Sequence, residues 1–195
     1  MRKTLFIAAL MLLATTAVNA AKKAIYKPWD NGKLKVSANQ RYLVHENGKA
    51  FFWLGNTAWL LPERLNRDEV DYFLTKERLC GYNVEQIQVL NAIPTFNVYG
   101  QQANNKDFDF SKVSKPGVYG YWEHMDYIVD CAAANGIYIA MDCIWGSMIG
   151  QMDIKKAEAY GKFLGERYKN KPNIIWMIGG DILGDKSPEV WDALA

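Results

Sequence analysis

Two spacings of apolar residues divide this chain and predict two kinds of element. Between Gly32 and Phe52, alternating stretches in KLKVS and RYLVHENGKAFFWL flank Asn47-Gly48. Alternation marks half-buried strands, and Asn-Gly accepts the positive φ angles of a tight hairpin. This region predicts a small antiparallel piece. Beyond it, apolar runs of strand length alternate with segments in which apolar residues return every three or four positions. The runs are FFWLGN (51–56), NVEQIQVLN (83–91), IYIAMDCIW (137–145) and NIIWMIGGDI (173–182). The last reads as a strand buried on both faces, as in a parallel sheet. Gly179 and Gly180 then let the backbone bend and bring Asp181 to the strand's carboxyl end.

Local signals bound the helices. Asn66 caps a helix opening RDEV, with Asp68 and Glu69 in its favourable first turn, and Cys80-Gly81 ends it. Val70, Phe73 and Leu74 share one face. A second helix over 119–135 aligns Trp122, Met125, Val129, Ala132 and Ala133. A third over 153–170 aligns Ala157, Tyr160, Phe163, Leu164 and Tyr168, and Pro172 stops it. Ser187-Pro188-Glu189 marks the start of a fourth. The long connection 92–117 carries Phe96, Tyr99, Phe108 and Phe110, too many aromatics for a disordered segment.

Strands that alternate with helices are the mark of parallel crossover units. An open doubly wound sheet calls for a glycine fingerprint after its first strand, and LGNTAW is not GxGxxG. A barrel accounts better for a polar residue at every strand end: Asn56, Asn91, Asp142 and Asp181. The expected fold is therefore α/β, about the first four β/α units of a (β/α)8 TIM barrel behind a small N-terminal β-hairpin. Its divisions are 1–20, 21–50 for the hairpin segment and 51–195 for the N-terminal half of the barrel.

Composition narrows the function. MRKTLFIAALMLLATTAVNA has a basic start, an apolar centre and a small-residue close, so residues 1–20 read as a secretory signal cleaved after Ala20. Export to the periplasm or the extracellular space follows, with no membrane span. Arg2 and Lys3 fall in that leader, which leaves 21 basic and 21 acidic residues beyond it. Such balance offers no basic stripe to nucleic acid. Cys80, Cys131 and Cys143 form no metal or disulfide pattern, although one bridge between the helices carrying Cys80 and Cys131 stays open. His45 and His124 belong to no ligand spacing and read as structural. No metal or organic cofactor is implied.

In a barrel the strand ends share one mouth. Amides and acids there bond hydroxyls, while indoles stack on the apolar face of a sugar ring. Asp181 is the catalytic candidate, a carboxyl partly desolvated beside Trp176, Met177 and Ile178 and suited to acid/base work. Its structural alternative is a capping Asp. Asn56, Trp59, Gln88, Asn91, Asp142 and Trp145 are expected to bind sugar. Gln86 and Gln88 alternate with Ile87 and Val89, so both amides face one side. Glu85 then points to the helices.

The stretches FFWLGNTAWLLPERLNRDEV, GYNVEQIQVLNAIPTFNVYG, YWEHMDYIVDCAAANGIYIAMDCIWG and NKPNIIWMIGGDI resemble the apiosidase-like glycoside hydrolases of family 140, within the group of domains of unknown function numbered 4038. They cover most of residues 41–182. The resemblance implies a (β/α)8 barrel acting on plant cell-wall glycans of the pectin type by a retaining, two-carboxyl mechanism. It places the acid/base on the aspartate of GGD, here Asp181, and the nucleophile on a glutamate of a later strand that this sequence does not contain. Many relatives read Gly-Asp-Thr where this chain has Gly55-Asn56-Thr57. The expectation is that the chain alone is inactive. A non-catalytic carbohydrate-binding or scaffold module is the alternative.

Overall fold

A computed structural model describes residues 24–113 and 115–195. The expected leader, residues 1–20, lies outside the described residues. The chain first forms an antiparallel sheet of β1 (Leu34–Val36), β2 (Leu43–His45) and β3 (Ala50–Phe51), in that order. Gly48 at φ 85° closes the β2–β3 turn, and Asn47 Oδ1 accepts the Lys49 N–H at 3.0 Å. The Asn-Gly signal is the turn it predicts.

The second sheet holds β4 (Gly55–Thr57), β5 (Val84–Gln88), β6 (Tyr138–Asp142) and β7 (Ile174–Met177), all parallel and in chain order. Between β4 and β5 run a short helix α1 (Leu61–Arg64) and α2 (Arg67–Cys80). The helix α3 (Tyr121–Ala134) precedes β6, α4 (Ile154–Tyr168) precedes β7, and α5 (Pro188–Leu194) follows it. Four β/α units in sequential order build one side of a (β/α)8 barrel.

Strand parity sorts the layers. Ile87, Ile139 and Met141 join Leu74, Met125, Ile128 and Leu164 in one buried cluster between sheet and helices. Val84, Tyr138 and Ala140 point the other way, and Phe51 of the hairpin packs on them. The antiparallel piece thus closes the amino-terminal end of the barrel's inner face. Each such large side chain contributes about 1.5–3 kcal/mol by leaving water. Helix α2 forms where its caps dictate. Asn66 accepts from the Asp68 and Glu69 N–H groups, Glu69 reaches back to the Asn66 N–H, and Gly81 at φ 93° takes the left-handed stop.

Two expectations need correction, and one question left open is answered. The run Phe51–Asn56 is not one strand. Phe51 pairs with Leu43 in the antiparallel sheet, whereas Gly55 pairs with Val84 in the parallel one. The Asn83 side chain holds the bridge between them, donating to Phe52 O at 2.7 Å and accepting from Leu54 N at 2.9 Å. The run 173–182 is not buried on both faces. Among the described residues β7 pairs only with β6, and Trp176 on it is 43% exposed. Cys80 and Cys131 do not pair. Cys80 faces solvent, Cys131 lies buried with its Sγ 3.6 Å from Asp71 Oδ1, and both are free thiols.

The long β5–α3 connection is ordered by its own side chains. Phe108 and Phe110 are buried, and Phe110 stacks on Phe163 with ring centroids 4.3 Å apart. The Trp122 indole N–H donates to Ala103 O at 2.8 Å. Phe96 and Tyr99 remain at the surface.

Candidate active site

The carboxyl ends of β4 to β7 lie along one edge of the parallel sheet. Register decides which polar side chains share its inner face. Gln88 is opposite Asp142, and Gln86 is opposite Ala140. Gln86, Gln88 and Asp142 therefore line the inner face together, while Glu85 opposite Ile139 turns toward the helices, as the alternation predicts. Asn56 is opposite Glu85, and Thr57 is opposite Gln86. Asn56 thus turns to the helix side, where its Nδ2 donates to Glu77 Oε2 at 3.2 Å. That placement corrects the sugar-binding role expected of Asn56. Thr57, with Gly55, is on the inner face.

The two tryptophans past the strand ends come together. The Trp59 and Trp145 rings lie 5.9 Å apart, tilted by 55°, and both are half-buried. Backbone bonds fix both loops. Gln88 N–H donates to Trp59 O at 2.9 Å, and Trp145 N–H donates to Leu90 O at 2.9 Å. Asn91 is half-buried nearby in sequence, and its Oδ1 is 2.7 Å from the Thr95 hydroxyl. The same hydroxyl lies 2.9 Å from Glu63 Oε1. Glu63 and Thr95 are polar groups of this rim that the sequence reading missed. The available signal was an acid in the first turn of the helix directly after β4.

Asp142 and Asp181 differ sharply in surroundings. Asp142 is fully buried, and neither carboxyl oxygen has a hydrogen-bond partner of good geometry. Burial pushes its pKa up to about 7, the Asp181 charge adds to the rise, and the nearby Gly179 and Ile144 N–H groups oppose it. Asp181 is exposed and sits at φ 57°, in the left-handed region, two residues after Gly179 at φ 81°. The desolvation expected at Asp181 falls on Asp142 instead. The glycine turn carries Asp181 past the covered layer, whereas Asp142 ends β6 inside it.

The remaining candidates are structural. His124 is buried, its Nε2–H donates to Leu65 O at 2.9 Å, and its Nδ1 accepts from Tyr119 OH at 3.0 Å. Burial lowers its pKa, which favours the neutral ring. His45 is buried with Nδ1 3.1 Å from Gly32 O. Among the described residues no three His, Cys, Asp or Glu side chains gather as metal ligands. No helix among them is long and apolar enough to cross a membrane.

The family model described as "Apiosidase-like, catalytic domain" matches residues 37–195. A solved glycoside hydrolase family 5 protein from Bacteroides vulgatus ATCC 8482 superposes with a TM-score of 0.84 at 60% identity, over 87% of this chain and 37% of that one. A second solved glycoside hydrolase gives 0.83 and 58%, over 87% and 38%. The chain thus spans less than two-fifths of the length of either. The catalytic domain of an endoglucanase from Thermobifida fusca, at 14% identity and a TM-score of 0.55 over 87% and 52%, shares the fold alone. No curated protein matches the chain.

Proposed function

Because the chain belongs to the apiosidase-like catalytic-domain family, we propose that it forms part of an exported glycoside hydrolase that cleaves plant cell-wall glycan of the pectin type, with Asp181 as the acid/base. The observation that carries this reading is the exposed Asp181 at the carboxyl end of the parallel sheet, beside the buried Asp142 and the Trp59–Trp145 pair. As a second carboxylate attacks C1 and the C1–O bond breaks, the Asp181 carboxyl gives its proton to the leaving glycosidic oxygen. It then takes a proton from the water that completes hydrolysis. Trp59 and Trp145 stack on sugar rings, and Gln88, Asn91 and Thr57 bond hydroxyls.

Retaining hydrolysis uses two carboxyls about 5–5.5 Å apart across the bond. At this rim Asp142 is enclosed and Glu63 lies against Thr95. The 195-residue chain alone therefore binds glycan without turning it over. The test compares the full-length protein with this chain on pectin side-chain oligosaccharides, following released reducing sugar and binding heat. Hydrolysis by the full-length protein and binding alone by the chain support the reading. Absence of both would remove it. The second reading, a glycan-binding module, is favoured by the paired tryptophans. It predicts tight binding with no hydrolysis by the full-length protein.

A further inference from the structure

The turn that presents Asp181 packs against two indoles from different elements. The six-membered ring of Trp191, in α5, faces Gly179. A Cβ on Gly179 would stand 2.8 Å from Trp191 Cζ3 and closer still to Cη2. The Trp145 ring faces Gly180, where a Cβ would stand 2.9 Å from Trp145 Cζ3. Gly179 lies at φ 81°, so both its space and its conformation call for glycine. Trp145 belongs to the sugar-stacking pair, whereas Trp191 has no place in the chemistry assigned above.

The position of Trp191 is set by its helix. Val190 and Leu194 of α5 are buried in the core between sheet and helices, and Trp191 packs on that core. Helix α5 lies so close to α4 that a Cβ on Gly161 would collide with the Leu194 carbonyl. The Trp191 Nε1–H is buried without a hydrogen-bond partner among the described residues, so packing places this ring. Asp181, by contrast, is exposed. An exposed acid takes its position from the backbone that carries it, and a misplacement of about 1 Å can slow a reaction about 10²-fold.

We propose that Trp191 is a positioning residue for Asp181: its ring, seated by the contact of α5 with α4, buttresses Gly179 and so fixes where the acid stands at the rim. This rests on the reading of Asp181 as the acid. Trp191 acts on proton delivery and leaves sugar stacking to Trp59 and Trp145, so its loss lowers kcat and spares KM.

The experiment uses the full-length protein with W191L, D181A and the double variant, assayed on two aryl glycosides of one sugar with good and poor leaving groups. If Trp191 acts through Asp181, W191L lowers kcat/KM roughly tenfold or more on the poor leaving group and under about threefold on the good one. In the D181A background the same change costs under about twofold, because the group it positions is gone. Equal losses on both substrates, or a W191L loss undiminished in D181A, would make Trp191 merely structural and overturn the proposal. D181A without any dependence on leaving group would instead sink the reading of Asp181 as the acid. Should W191L fold poorly, W191F, which keeps an aromatic ring between α5 and the turn, decides. A loss concentrated on the poor leaving group supports the proposal, and equal losses on both overturn it.

Discussion

Gly146 and Gly180 meet backbone to backbone. The α-carbon of Gly146 leaves no space for a methyl group beneath the Gly180 carbonyl, which would stand 2.1 Å from it. Backbone yields less readily than a side-chain tip, so the turn that presents Asp181 is set by a glycine on the neighbouring loop. G146A is expected to lower stability by about 1–3 kcal/mol through overpacking. It is also expected to cut hydrolysis of poor leaving groups in the full-length protein roughly tenfold. Gly150, with open space around its α-carbon, is the control. G150A should stay within about 0.5 kcal/mol in denaturant unfolding.

Glu85 makes stability depend on pH from the helix side of the sheet. It is fully buried without a hydrogen-bond partner of good geometry, and its pKa is pushed from 4.5 up to about 8 by burial first and then by Glu77. The folded state therefore holds a proton that the unfolded chain releases between pH 4.5 and 8. Stability is full below that window and falls as pH rises through it, by at most about 1.4 kcal/mol per pH unit. E85Q should flatten this slope in unfolding curves recorded at pH 5 and pH 8. A slope unchanged in E85Q would place the titration elsewhere.

Trp59 and Trp145 are expected to supply the stacking surface for sugar. W59A and W145A should each weaken oligosaccharide binding about tenfold by calorimetry. The W145A loss should be the larger, because the Trp145 ring also packs on Gly180. Phe52 is exposed and belongs to the hairpin end of the barrel. F52A should leave binding unchanged.

Several features were legible because they are local. The Asn66 capping box, the Gly81 stop and the Asn47-Gly48 turn depend on a few neighbouring residues. The inward Gln86 and Gln88 and the outward Glu85 follow from the period of a strand. What stayed hidden depends on partners far along the chain. Nothing within FFWLGN marks where pairing passes from Leu43 to Val84. The direction of Asn56 is set by its register with Glu85, so a polar residue near a strand end was mistaken for one at the mouth. Exposure along β7 depends on a flank that local sequence does not report. Asp142 and Asp181 look alike as carboxylates at strand ends. Only the packed turn shows which is enclosed and which is free.

Proton delivery from the Asp181 carboxyl to the leaving glycosidic oxygen leaves a kinetic signature. The most direct measurement is the leaving-group dependence of kcat/KM for D181A in the full-length protein. A loss of about 10²–10⁴-fold is expected on a poor leaving group, shrinking to a small loss on one that departs without a proton. Equal activity of D181A and the parent protein on both substrates would contradict it.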